Sequence, residues 1–396
     1  MKFSKLLLGG ALALAALPVA VDAQTVKVGL ILSYSGQGAP IADQMQKAID
    51  LYMKEHGKNL GNIKLELIKR DDTGPNPDVA KRLATELITR ERINLLTGLI
   101  YTPNANAVAP LATEAKVPTI IMNAGTSSTI RLSPYLARVS FTLWQSSYPL
   151  GQWAAKQPAI KKAYTAVTDY GPGHDGEQAF IKGFTEGGGQ MVGSVRMPLQ
   201  NPDFVPFMQR VKDAKPDALF VFVPAGKAAT SIMKTYTDLG LDKAGIRLIG
   251  PGDIVPEEEL PNMPTAPLGI ITMLHYSAVG DRPANKAFVQ AWKREYGDAA
   301  MPSFFSVGAW DGMHAIFHVV TAQQGKINAD MTMELLKGWR NDQSPRGPVM
   351  IDPETRDVIH NEYLRRLDRV DGRLANVEIE TIPMVKDPWP RFNPPK

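Results

Sequence analysis

Asp169–Gly176 reads DYGPGHDG, after the apolar run AYTAVT (163–168) and before EQAFIKGF, a helix-like pattern. Gly171, Gly173 and Gly176 match G-x-G-x-x-G at the point where a strand hands over to a helix. In a dinucleotide site such glycines let backbone approach a pyrophosphate at an open helix N-terminus, and an acid about 20 residues on takes the ribose hydroxyls. Here Asp175 intrudes on the motif, and the next strand-like run, MVGSVRMPL (191–199), ends without an acid. Asp203 arrives late and reads as a helix N-terminal residue. The dinucleotide reading is therefore rejected. Its geometry survives: an open loop at the carboxyl end of a parallel strand, where α/β sheets bind ligands.

Working outward, short β-rich runs alternate with helical patterns. The runs are VKVGLIL (26–32), IKLELIK (63–69), INLLTGLI (93–100), PTIIM (118–122), DALFVFV (217–223), IRLIG (246–250) and LGIITML (268–274). Near-continuous apolar strands between helices predict parallel sheets covered on both faces. Asn76-Pro77-Asp78 opens one helix, and Gly57 and Gly240 close others. The alternation falls into two blocks, roughly 26–140 and 160–270, separated by RVSFTLWQSSYPLGQW (138–153). ILSYSGQGAP (31–40) after the first strand of one block echoes VTDYGPGHDG (167–176) after the first strand of the other. From about Ala278 the chain is helical and then mixed, with the turn-rich DQSPRGPVMIDPETRD (342–357) as a further connection.

The N-terminus sets the expected compartment. Lys2 and Lys5 precede the uncharged LLLGGALALAALPVA (6–20) and then VDAQ, with small residues Val21 and Ala23 before Gln24. That pattern predicts a cleavable secretory signal peptide over 1–23 and a soluble periplasmic protein beginning at Gln24. The chain has no cysteine, which excludes lipid attachment at a mature N-terminal cysteine, disulfides and thiol chemistry. A formal charge of +4 over 396 residues, with the charges interspersed, offers no basic block for nucleic acid.

No catalytic constellation assembles. His314 and His318 are spaced i, i+4, but a zinc hydrolase would need Glu at Ala315. They read as structural, packed beside Trp310 and Phe317. Neither a G-x-S-x-G elbow nor a nucleotide-binding G-x-x-x-x-G-K-[ST] occurs. EEEL (257–260) reads as the solvated start of a helix. No enzyme activity, metal or cofactor is expected.

The polar loops after the strands say more. GLIYTPNANA (98–107) carries Tyr101 and Thr102 into a helix. IIMNAGTSSTI (120–130) supplies Asn123, Ala124, Gly125, Thr126 and Ser127. Hydroxyl residues and bare N–H groups beside helix N-termini make an anion site without arginine.

This succession of segments, together with NPDFVPFMQRVKDAKPDALFVFVPAG (201–226), resembles the substrate-binding proteins of ABC transporters, in the Leu/Ile/Val-binding-protein-like branched-chain amino acid or amide group. The resemblance spans the chain after the leader. It implies the type I periplasmic binding protein fold: two Rossmann-like α/β lobes with parallel central sheets, joined by three hinge crossings. Lobe one would be 24–142 with 276–346, and lobe two 143–275 with 347–396. A monomer would close on its ligand and deliver it to an inner-membrane ABC permease.

By that resemblance Thr102 binds the ligand carboxylate, Gly125 and Ser127 assist, and Ile41 packs on the ligand body. In lobe two the usual aromatic contact aligns with Gly173, and the acid that amino-acid binders aim at the ligand ammonium aligns with Gly252, next to Asp253. Tyr34, Gln37, Tyr170, His174 and Gly226 are further contact candidates, with Tyr101, Trp144 and Phe305 as wall aromatics. A buried ammonium without a counter-charge is costly, so the reading leans to an aromatic or other hydrophobic acid. A hydrophobic amino acid or amide, held if Asp253 turns inward, and a sensory protein of the same fold are the alternatives.

Overall fold

The computed structural model describes residues 24–394; the expected signal peptide lies outside them. Two sheets organise the chain. The first is wholly parallel and is built from β1 (Thr25–Leu32), β2 (Lys64–Asp71), β3 (Leu95–Gly98), β4 (Thr119–Ile121) and β5 (Leu136–Arg138), in the order β2-β1-β3-β4-β5. Val26, Val28, Leu30, Ile31 and Leu32 of β1 are all fully buried, as a central strand covered on both faces requires. The covering helices are α1 (Ala39–His56), α2 (Pro77–Glu86) and α3 (Thr102–Ala115), with Asn76 capping α2 through Val79 N–H.

The second sheet starts with β6 (Lys162–Thr168), β7 (Gln190–Met197), β8 (Ala218–Phe222), β9 (Arg247–Pro251) and β10 (Ile271–Leu274). Their order, β7-β6-β8-β9-β10, repeats that of the first sheet, which gives the sequence echo its structural meaning. In this half lie α4 (Leu143–Lys156), α5 (Gly171–Glu186), α6 (Val205–Ala214) and α7 (Lys227–Asp238). The chain then returns to the first half: α8 (Pro283–Tyr296) and α9 (Phe304–Ala322) pack on α1, and α10 (Ala329–Lys337) packs on α9. Finally β11 (Arg340–Asn341), β12 (Val349–Ile351), β13 (Val358–Val370) and β14 (Arg373–Val385) extend the second sheet by antiparallel pairing. Three crossings join the halves, at 139–142, 275–282 and 338–339, so β11 enters the second sheet a few residues before 346.

Charged side chains knit these crossings from inside. Arg346, fully buried, donates to Asp311 Oδ2 on α9 at 2.8 Å, to Ser140 O at 2.6 Å in the first crossing, and to Val139 O. Arg138 pairs with Asp357 at 3.4 Å. The EEEL stretch is not a solvated helix start: Glu257 and Glu259 are buried, and Glu257 faces Arg365 at 3.3 Å. The acids pair inward, with Asn376 also donating to Glu257 Oε1 at 3.0 Å. His314 accepts from Trp339 Nε1 at 3.0 Å, whereas His318 is exposed instead of packed.

The buried acids give the fold a pH dependence. Burial pushes Glu362 up to about 8 and Asp253 up to about 7. Raised carboxyl pKa values make the native state hold protons that the unfolded chain has released, so this stability is full below about pH 4 and is lost as pH rises through the native values. The buried His275 and His360 are driven down by burial, and above pH 7 they are neutral whether folded or not. Between pH 7 and 9 the melting temperature should therefore fall, by on the order of 1 kcal/mol of stability from Glu362. Glu362→Gln should flatten that part of the profile, measured by calorimetry; an unchanged slope would remove Glu362 as its source.

Candidate functional site

The carboxyl ends of the parallel strands in both sheets face a shared cleft. Each sheet reverses strand order beside its first strand, β1 against β3 and β6 against β8, and loops diverge there to leave a crevice. A small cavity lies between these crevices. From the first half it is lined by Ile41, Ile100, Tyr101, Thr102, Asn123, Gly125 and Phe305; from the second by Tyr170, Pro172, Phe222, Pro224, Ala225 and Asp253. Phe141 and Leu143, at the first crossing, complete it.

Local hydrogen bonds set the donors. Thr102 opens α3, where Pro103 has no N–H and Asn104 N–H already donates to Tyr101 O at 3.1 Å, so the N–H of Thr102 is the one left over in the first turn. Thr126 Oγ1 donates to Thr102 Oγ1 at 3.0 Å, which leaves the Thr102 proton free to donate into the cavity. Asn104, one turn inside α3, is fixed by Asp72 at 2.7 Å and by Gly74 O at 2.8 Å. Asn123 Nδ2 donates to Ile100 O at 2.8 Å, tying the loops after β3 and β4 together. Ala124 N–H goes to Leu99 O, and Ser127 N–H to Asp175 Oδ2 at 2.8 Å. The intervening N–H groups of Gly125 and Thr126 have no partner among the described residues.

The bond from Ser127 to Asp175 crosses the cleft. Burial raises the Asp175 carboxyl to about 6, opposed by that N–H and by Arg138. Gly171 comes so close to Thr126 that a Cβ there would lie 2.5 Å from Oγ1. The halves thus meet in a closed arrangement.

Of the residues expected at the site, Ile41, Tyr101, Thr102, Asn123, Gly125, Tyr170, Asp253 and Phe305 line the cavity together. The others do not. Ala124 is core, Thr126 acts through Thr102, and Ser127 spends its N–H on Asp175. Tyr34 donates to Gln46 at 2.7 Å along α1. Gln37 and Gly226 lie at the rim, where the two loops approach; Gly226 has φ +82°, a conformation that favours glycine. Trp144 stacks on Phe392 at 5.5 Å, away from the cleft. His174 sits outside, 2.6 Å from Asp169. Gly173 packs α5 onto β6: a Cβ there would lie 1.8 Å from Thr168 O, so no contact side chain fits at the aligned position.

Sequence reasoning missed Ile100, Phe141, Leu143, Pro172, Phe222, Pro224 and Ala225. Phe222 ends an apolar strand and looks like any core residue. It stacks on Tyr170 at 6.0 Å and forms part of the wall.

Behind the cavity, His275, His360 and Glu362 bring three donor atoms within 4.8 Å of one another. Arg346 Nη1 lies 3.2 Å from His360 Nδ1, and because arginine can only donate, Nδ1 must accept. The His360 proton then sits on Nε2, 3.4 Å from Glu362 Oε1, but neither atom completes a hydrogen bond.

Residues 25–373 match a family model described as periplasmic binding protein. The chain is 42% identical over 372 residues to Leu/Ile/Val-binding protein homolog 6 of Brucella melitensis, covering 93% of this chain and 94% of the relative. A solute binding protein of an ABC transporter from Rhodopseudomonas palustris BisB5, solved with 3,4-dihydroxy benzoic acid, superposes with a TM-score of 0.89 at 48% identity, over 92% of this chain and 99% of that one. A second R. palustris solute binding protein, solved with 4-hydroxybenzoate, gives 0.88 at 43% identity, over 92% and 98%.

Proposed function

The chain belongs to the periplasmic binding protein family, and from that premise we propose that it captures a small aromatic or other hydrophobic carboxylic acid and delivers it to an ABC permease. The cavity carries the reading. Thr102 and the free N–H group of Gly125 offer neutral donors to a carboxylate on one side, and apolar and aromatic side chains line most of the rest. No lysine or arginine is among its lining residues. Similar proteins that hold hydroxylated benzoic acids support an aromatic body for the ligand.

In this reading, residues 1–23 are removed on export, and the half built on the first sheet closes on the half built on the second. Binding needs only that the closed state hold the ligand better than the open one. A hydrophobic amino acid remains the second reading, because Asp253 lines the cavity.

A thermal-shift screen tests the choice: aromatic acids should raise the melting temperature through binding linkage, and leucine should not. A shift by leucine alone would overturn the proposal. Thr102→Ala should weaken the bound acid about tenfold by isothermal titration calorimetry, the loss of one hydrogen bond to a charged group. Ser127→Ala should change affinity little, because the side chain does not line the cavity.

A further inference from the structure

We infer that Asp253 reads a hydroxyl group on the ligand's ring, so that the preferred ligands are hydroxylated aromatic acids. The inference rests on the aromatic-acid reading above and narrows it. Asp253 follows β9 and reaches the cavity from the second half, whereas Thr102 and Gly125 enter from the first. A ligand whose carboxylate is held by the first half therefore presents its ring substituents to the second.

Asp253 itself demands a partner. It is 6% exposed, and its Oδ2 is buried without a hydrogen bond. A buried carboxyl left unpaired costs more than its hydrogen bond would return. Among the groups around it, Tyr170 lies on the cavity wall, and Arg365 and Glu362 lie behind. Burial raises its carboxyl to about 7, with Arg365 pulling it down, so both protonation states are accessible near neutrality.

That behaviour separates two ligand groups. A phenolic hydroxyl donates to the ionised carboxylate and accepts from the protonated acid, so it fits either state. An ammonium needs the carboxylate and suffers nearby cations. A cation does stand there: a Cβ at Gly252 would lie 2.2 Å from Arg365 Nη2, so a guanidinium fills the space into which a side chain at 252 would project. A side chain at 252 would have to displace that guanidinium, and the neighbouring acid meets its ligand against a guanidinium background.

The test is titration calorimetry of the wild-type protein and of Asp253→Leu and Asp253→Ala with benzoate, 3-hydroxybenzoate, 4-hydroxybenzoate, 4-methoxybenzoate and leucine. The wild type should bind a hydroxybenzoate about tenfold or more tighter than benzoate, because a site built around a hydrogen bond rejects the analogue that lacks it. The methoxy compound, which has no proton to donate, should lose that advantage. In Asp253→Leu the ratio of hydroxybenzoate to benzoate affinity should collapse towards one. Should that variant fail to fold, the methoxy comparison and Asp253→Ala decide. Equal binding of benzoate and both hydroxybenzoates by the wild type overturns the inference and leaves the aromatic-acid reading standing, as does a ratio that survives in the variants. Binding of leucine with no response to any benzoate overturns both.

Discussion

Arg346→Ala should lower the stability of the folded protein by about 3–5 kcal/mol, the cost of leaving one member of a buried ion pair uncompensated. Arg346 has no exposed surface, and its guanidinium joins α9 through Asp311, the first crossing through Val139 O and Ser140 O, and β13 through His360. Removing it strands Asp311, which Asn341 and Ser344 still approach at 3.1 and 2.9 Å but cannot neutralise. Chemical denaturation measures the loss. Pairing Arg346→Met with Asp311→Asn removes both charges, and that double variant should be less damaged than the sum of the single ones. Additive losses would mean that the two side chains act independently, contrary to their 2.8 Å contact.

Gly173→Ala should cost about 3 kcal/mol, the upper end of what overpacking brings, because the clash is with backbone and not with a side chain that can swing away. The added carbon would meet Thr168 O at 1.8 Å, and that carbonyl already accepts from Tyr170 N–H at 2.9 Å. The start of α5 would have to lift, carrying Tyr170 and Pro172 out of the cavity wall. Affinity for an aromatic acid should then drop more than tenfold along with the melting temperature. Wild-type values for both would show that the helix start has slack.

Much of the architecture was legible because each parallel strand declares itself as an apolar run with loops at its ends. The nine runs read from the sequence correspond to β1, β2, β3, β4, β6, β7, β8, β9 and β10 within a few residues. Site residues at loop starts, such as Thr102, Asn123 and Gly125, were readable for the same reason. Asp253 was readable only through the neighbouring glycine. What escaped depends on distant pairing. EEEL is polar by composition, yet Arg365, more than a hundred residues away, makes Glu257 an interior residue. Trp144 carries no sign that Phe392 will cover it. His174 and Gly173 sit in the right loop, but helical geometry turns one outward and presses the other against a carbonyl.

The path of the chain between the two sheets also governs how the molecule can be made. The first half needs α8, α9 and α10, which end at Lys337, and the second needs β13 and β14, which end at Val385. Neither half is contiguous, so a chain appearing from its N-terminus holds back completion of both until most of its length has emerged. Until then the edges of the early strands and the uncovered faces of α1 are open to wrong partners. Assembly of this protein is timed by its last quarter, and truncations there should fail as a whole instead of sparing one half.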